Sequence, residues 1–170
     1  PRLIAAWDAF AAADTALRNG VEAINDRRAA EQLAEIEQKE GRKARYHVQA
    51  LMIHAKRVLR AETSSTPDVA AITKAVTEFE DLVKGAEEFS GSGDGKIGSS
   101  LIGNAKSFLV TSKQLMRRIR DKVPYSSGDQ MMMGGAGGWM VEGSPARLLR
   151  DYNQMIDSYN REGSSRGFGR

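Results

Sequence analysis

The chain contains no cysteine. Disulfide bonds, thiolate metal centres and cysteine nucleophiles are excluded together. The compartment stays open, because secreted proteins without disulfides share this feature. Aromatic residues are scarce, at 6%. Proline occurs four times, and Pro67, Pro124 and Pro145 stand where helices would start or stop. No run approaches the ~18 apolar residues that a membrane span requires, and no signal peptide is visible. The chain opens on Pro1 instead of methionine. This reads as an N-terminus trimmed upstream, with any targeting segment lost along with it. No segment shows the period-two alternation of a half-buried strand.

What is present is ordinary in amount and uneven in distribution. A length of 170 residues suits one domain with a real core. The hydrophobic fraction of 41% and the charged fraction of 28% fit a soluble globular protein. Abundant alanine suits helices that approach one another closely. Net charge is +3, and the pI is about 9.3. Residues 1–102 carry 14 basic and 16 acidic side chains, whereas residues 103–170 carry 11 and 6. So small an excess reads as an ordinary solvated surface.

The apolar residues recur at helical spacing. Leu3, Trp7, Phe10, Leu17, Val21 and Ile24 follow a 3–4 rhythm interrupted by Asp14, with Ile4 and several alanines widening the stripe. Asn19-Gly20 reads as a weak point in a longer helix, because Val21 and Ile24 stay in phase with what precedes them. Residues 26–45 are densely charged and predict an exposed helix or arm, with Gly41 its only breaker. Val48, Leu51, Met52, Ala55, Val58 and Leu59 form the next periodic block.

Thr66-Pro67-Asp68 is the clearest boundary, with proline expected at the first helical position and an acid in the first turn. Val69, Ile72, Val76, Phe79 and Val83 follow in heptad phase, and Gly91 to Gly95 is expected to be a flexible loop. A further helix over about 99–123 carries two apolar rows, Leu101, Ala105, Phe108, Leu115 and Ile119 beside Ile102, Leu109, Met116 and Val123. Pro124 stops it. Residues 124–144 hold Met131, Met132, Met133, Trp139 and four glycines in the five residues 134–138, a long loop of the kind that is functional or disordered. Ser144-Pro145 caps and starts the last helix, and 163–170 is a Gly/Ser/Arg tail expected to be disordered. The fold class is therefore all-α: an antiparallel helical bundle of four to five helices, with a long Gly/Met-rich loop before the last helix. One domain over 3–162 is expected.

Candidate chemistry is sparse. Gly91-Ser92-Gly93-Asp94-Gly95-Lys96 superficially resembles a phosphate loop. However, Ser90 stands where the first glycine belongs, Ile97 replaces the hydroxyl residue after the lysine, and a helix precedes it in place of a strand. It also lacks the acidic ligands of a calcium loop. His47 and His54 share a helical face, but two imidazoles do not make a zinc site. Lys113, Arg117, Arg118, Arg120 and Lys122 cluster near a helix C-terminus, which the helix dipole favours. No aromatics are interleaved for base stacking. No acid, base and nucleophile converge at a recognisable spacing.

One stretch looks deliberate. Tyr152-Asn153 and Tyr159-Asn160 repeat at a spacing of seven, close to two helical turns. With Leu148 and Met155 the tyrosines form a seam at heptad spacing, which reads as the inner face of a bundle helix. The asparagines are expected to bond across the helix interface. Met131, Met132, Met133, Trp139, Tyr152, Asn153, Tyr159 and Asn160 together make the candidate interaction surface.

This closing stretch, with Met155-Ile156 between the two Tyr-Asn pairs, resembles the C-terminal signature of DUF3829, a domain of unknown function in bacterial cell-envelope lipoproteins. The middle is similar too. Leu82-Val83, Ala86 and Phe89 end a helix that precedes a loop and a long helix. The resemblance covers residues 69–160. It implies a helical, periplasmic or outer-membrane-tethered domain, held by a lipid on an N-terminal cysteine that this chain lacks. It supplies no catalytic residues. The expected function is a non-enzymatic binding or scaffold module of the bacterial cell envelope, without cofactor or metal. Its partner would be an unknown protein or a second copy, and membrane contact would come only through the lipid. The alternative is a cytoplasmic helical adaptor, or a weak nucleic-acid binder using the basic helix 113–122.

Overall fold

A computed structural model describes residues 2–123 and 143–166. Five helices lie among the described residues: α1 (Arg2–Glu40), α2 (Ala44–Glu62), α3 (Val69–Glu87), α4 (Ser99–Asp121) and α5 (Pro145–Arg166). The chain divides into two compact units, Pro1–Gly41 and Arg42–Arg170. The sequence reads as one domain over 3–162.

The first unit is one helix of 39 residues. It runs through Asn19-Gly20 unbroken, as the continuity of phase predicted. It stops at Gly41, whose φ of +72° places it in the left-handed region that ends helices and favours glycine. The Gly41 amide donates to the Glu37 carbonyl at 2.9 Å. The apolar stripe expected along this helix is present as a face, but its side chains are exposed: Leu3, Ile4, Trp7, Phe10, Leu17, Val21 and Ile24.

The second unit is an up-down-up-down four-helix bundle, and its cross-helix contacts give the directions. His54 faces Glu78 and His47 packs on Phe89, so α2 and α3 are antiparallel. Lys106 pairs with Glu87 and Lys113 with Glu80, so α3 and α4 are antiparallel. Thr111 bonds Asp151 and Asn104 bonds Ser158, so α4 and α5 are antiparallel.

Local chemistry sets most boundaries. Ser144 caps α5, its hydroxyl accepting from the Arg147 amide at 3.1 Å. Helix α3 starts two residues later than Pro67, because Asp68 takes the N-cap and accepts from the Ala70 amide at 2.9 Å. The Gly91–Gly95 loop is tied instead of loose. Ile97 donates to Phe89 at 2.8 Å, and its carbonyl accepts from Gly91 at 3.0 Å. This small bridge draws the Ile97 side chain fully into the core. Helix α5 continues to Arg166, into the stretch read as a tail; residues 167–170 lie outside the described part.

The core follows the predicted seams. Val48, Leu51, Ala55 and Val58 of α2 meet Ile72, Val76, Phe79 and Val83 of α3, Leu101, Ala105, Phe108 and Leu115 of α4, and Leu148 and Met155 of α5. Phe79 and Phe108 meet edge to face at 5.3 Å between ring centroids, the arrangement that ring quadrupoles favour. Val123, expected in the second row of α4, is half exposed, since it lies beyond the left-handed residue Lys122 that ends the helix.

Two groups strain this packing. Glu62, in the last turn of α2, is only 3% exposed, and Ser112 of α4 stands beside its carboxyl. Burial pushes its pKa up to about 8, with Ser112 of α4 offsetting part of the shift. Its acid is therefore neutral at pH 7. Gly85 of α3 lies under the His47 ring, where an added Cβ would come 2.6 Å from Cε1.

Two outcomes follow. Because the folded pKa lies above the unfolded value of 4.5, the unfolded chain gives up the Glu62 proton first as pH rises. Stability therefore falls between about pH 4.5 and 8, by up to about 1.4 kcal/mol per unit from this group. Glu62→Gln should remove that slope and be the more stable form at pH 8, which denaturant melts across the range would read. Gly85→Ala sets a helix-propensity gain of about 1 kcal/mol against overpacking of about 1–3 kcal/mol. His47 is itself packed against Tyr46 and Phe89, so overpacking wins. A lower thermal midpoint is expected.

Candidate functional site

The residues singled out in the sequence separate into three groups. Met131, Met132, Met133 and Trp139 lie outside the described residues. Tyr152 and Tyr159 face the bundle, half buried. The Tyr152 ring lies 6.2 Å from that of Phe108, and burial raises its hydroxyl pKa. The Tyr159 hydroxyl accepts from Gln49 Nε2 of α2 at 2.8 Å. Asn153 and Asn160 are exposed. The Tyr-Asn repeat thus divides by face: its tyrosines are core, as the heptad spacing predicted, and its asparagines point to solvent.

The amide that crosses the α4–α5 interface is one the sequence did not flag. Asn104 Nδ2 donates to Ser158 Oγ at 2.7 Å and to the Gln154 carbonyl at 3.0 Å. It belongs to a buried polar ladder beside the Leu148–Met155 seam. Asp151, 2% exposed, accepts from Thr111 Oγ1 at 2.5 Å and from Arg147 Nε at 3.2 Å. Ser158 also accepts from Arg161 Nη2 at 3.1 Å. Ser144, Asp151 and Ser158 recur every seven residues, which was the available signal. Polar residues at heptad spacing on a charged helix usually mark the solvated side, so spacing alone does not place them inside.

The ladder ends at a cleft of about 520 Å³ lined by Gly91, Ser92, Gly98, Ser99, Ser100, Ser158, Arg161 and Glu162. The start of α4 would favour an anion there. However, the Glu162 carboxylate already lies over Gly98, in the space a Cβ would take. The chain's own acid fills the place. A smaller cleft of about 260 Å³ runs along α4 by Lys106, Thr111, Gln114 and Arg147.

The basic cluster is partly neutralised. Lys113 Nζ sits 2.7 Å from Glu80 and holds that carboxyl below its ordinary range. Arg120 pairs with its neighbour Asp121 at 2.8 Å. The histidines have packing roles. Both are held below the usual imidazole pKa, chiefly by burial, and His54 Nδ1 lies 3.7 Å from Glu78. Among the described residues no three His, Asp or Glu side chains converge on a metal position. No helix among them is long and apolar enough to cross a membrane.

Among the described residues the most exposed large apolar side chains lie on α1. Leu3, Ile4, Ala6, Trp7 and Phe10 line a groove of about 530 Å³, with the Trp7 and Phe10 rings 6.0 Å apart. Trp7 is 69% exposed and Leu3 87%. The sequence stripe located these residues; their exposure was not legible, because an apolar stripe normally signals burial.

These features define an all-α protein built on an antiparallel bundle. The chain belongs to the family described as "Protein of unknown function (DUF3829)", which matches residues 1–161. The match takes in α1 and α2 as well as the 69–160 region that carried the resemblance. The chain is also similar to the uncharacterized protein YiiG of Escherichia coli (strain K12), at 38% identity over 154 residues, 90% of this chain and 43% of that protein. It spans less than half the length of that relative. No solved structure matches.

The tyrosines differ in what they contribute, and the difference is measurable. Tyr152→Ala should cost about 3 kcal/mol through lost packing. Tyr159→Phe, which removes only the bond from Gln49, should cost about 1 kcal/mol. Urea melts of both variants would check the ranking.

Proposed function

We propose that this chain is a non-enzymatic helical binding and scaffold module of the bacterial cell envelope. In this reading the four-helix bundle is the stable body, and α1 is the contact surface. The carrying observation is the row of large apolar side chains exposed along α1. Such a contiguous apolar face is costly to leave in water and marks an interaction site on a stable protein. The envelope assignment draws on the resemblance of the closing helix and of α3 to an envelope-lipoprotein domain. The alternative, a cytoplasmic adaptor or weak nucleic-acid binder using residues 113–122, draws less support, since Lys113 and Arg120 are held by Glu80 and Asp121.

The surface reading predicts that Trp7→Glu combined with Phe10→Glu leaves the bundle's unfolding free energy within about 0.5 kcal/mol of wild type, as at a surface position. The same variant should lose most of the binding of an apolar fluorescent dye. A loss of about 3 kcal/mol would instead make these residues a core wall and end the reading. Recovery of the full-length protein in the cytoplasmic fraction of its host would end the envelope assignment.

A further inference from the structure

Building on the reading of α1 as the contact surface, we infer that its occupant is α1 of a second copy of this chain, in an antiparallel coiled coil. Leu3, Trp7, Phe10, Asp14, Leu17, Val21 and Ile24 alternate spacings of four and three without a slip. That rhythm keeps one seam facing a partner helix for three heptads. A seam of this kind complements itself, since each copy presents the same row of layers.

Asp14 decides the direction. In a parallel pair the two Asp14 side chains fall in the same layer, and like charges meet across the seam. In the antiparallel pair that aligns six of the seven seam positions, Trp7 meets Ile24 of the other copy, Phe10 meets Val21 and Asp14 meets Leu17, while Leu3 lies at the end of the seam opposite Arg28. Each carboxylate keeps the ion pair seen here, with Arg18 Nε at 2.8 Å. The positions flanking the seam are Ile4, Ala6, Ala11, Ala13, Arg18, Gly20, Asn25 and Arg27. In this register Arg18 falls beside Ala11 of the other copy and Arg27 beside Ala6, so no like charges meet across the flanks.

The area suffices. The exposed apolar side chains of α1 are each about half to nine-tenths accessible and offer roughly 1,000 Å² per copy. Two copies therefore come within the range of roughly 1,200–2,000 Å² that stable interfaces bury.

The test is solution mass together with engineered thiols, which are unambiguous in a chain without cysteine. Light scattering at micromolar concentration should give twice the chain mass, and Leu17→Glu with Val21→Glu should halve it with an unchanged thermal midpoint. Under oxidation, Trp7→Cys copies mixed with Ile24→Cys copies should form disulfide dimers, while neither alone should. Dimers from either variant alone indicate a parallel pair and overturn the inference. A monomeric wild type overturns it as well. If the midpoint of the monomeric Glu variant is unchanged, the contact-surface reading survives and needs a different occupant. If that midpoint collapses, both fail.

Discussion

The bond between Thr111 and Asp151 sets the register on which the bundle depends. Helix α5 is separated in sequence from α4 by more than twenty residues, so short-loop geometry cannot position it. A buried carboxylate can. Moved by one helical turn, about 5.4 Å, Asp151 would keep Arg147 of its own helix but lose Thr111, and a buried group left without its hydrogen-bond partner costs about 1–3 kcal/mol. The same slip would part Asn104 from Ser158. Apolar contacts alone tolerate a one-turn shift far better, because one Leu or Met layer resembles the next. The apolar seam makes α5 dock, and the polar ladder beside it decides where.

With α5 fixed, the tyrosines fall into place. Tyr152 comes against Phe108, which is already edge to face with Phe79, so three helices share one aromatic cluster. Tyr159 reaches Gln49 and ties α5 to α2. Glu62 is the exception to this economy. It is buried in the last turn of α2 beside Ser112, and burial favours its protonated form. Burying a neutral acid costs much less than burying a carboxylate.

The two units use the heptad pattern to opposite ends. In α3 and α5 the pattern is buried, and its side chains are the core. In α1 the same pattern, carrying equally large side chains, is exposed. A polar residue within the seam behaves differently in each setting. Asp14 keeps its pair with Arg18 in solvent, which is consistent with a face that meets a partner only after the helix has formed.

The sequence by itself determined the helices, most of their ends and most of the core. Phase carried α1 through Gly20, Ser144 capped α5, and the seams named the buried Val, Ile, Leu and Phe, while the break at Gly41 stayed open. These are local facts, set by backbone sterics and by apolar spacing along one helix. Tertiary structure alone decided the rest. It buried Ile97 through a bridge between loop residues and put Asp151 and Ser158 inside. It chose Asn104 over Asn153 and Asn160 as the crossing amide. Each of these depends on which faces meet across helices. Periodicity shows that a face exists; only the neighbouring element decides whether that face, apolar or polar, is covered.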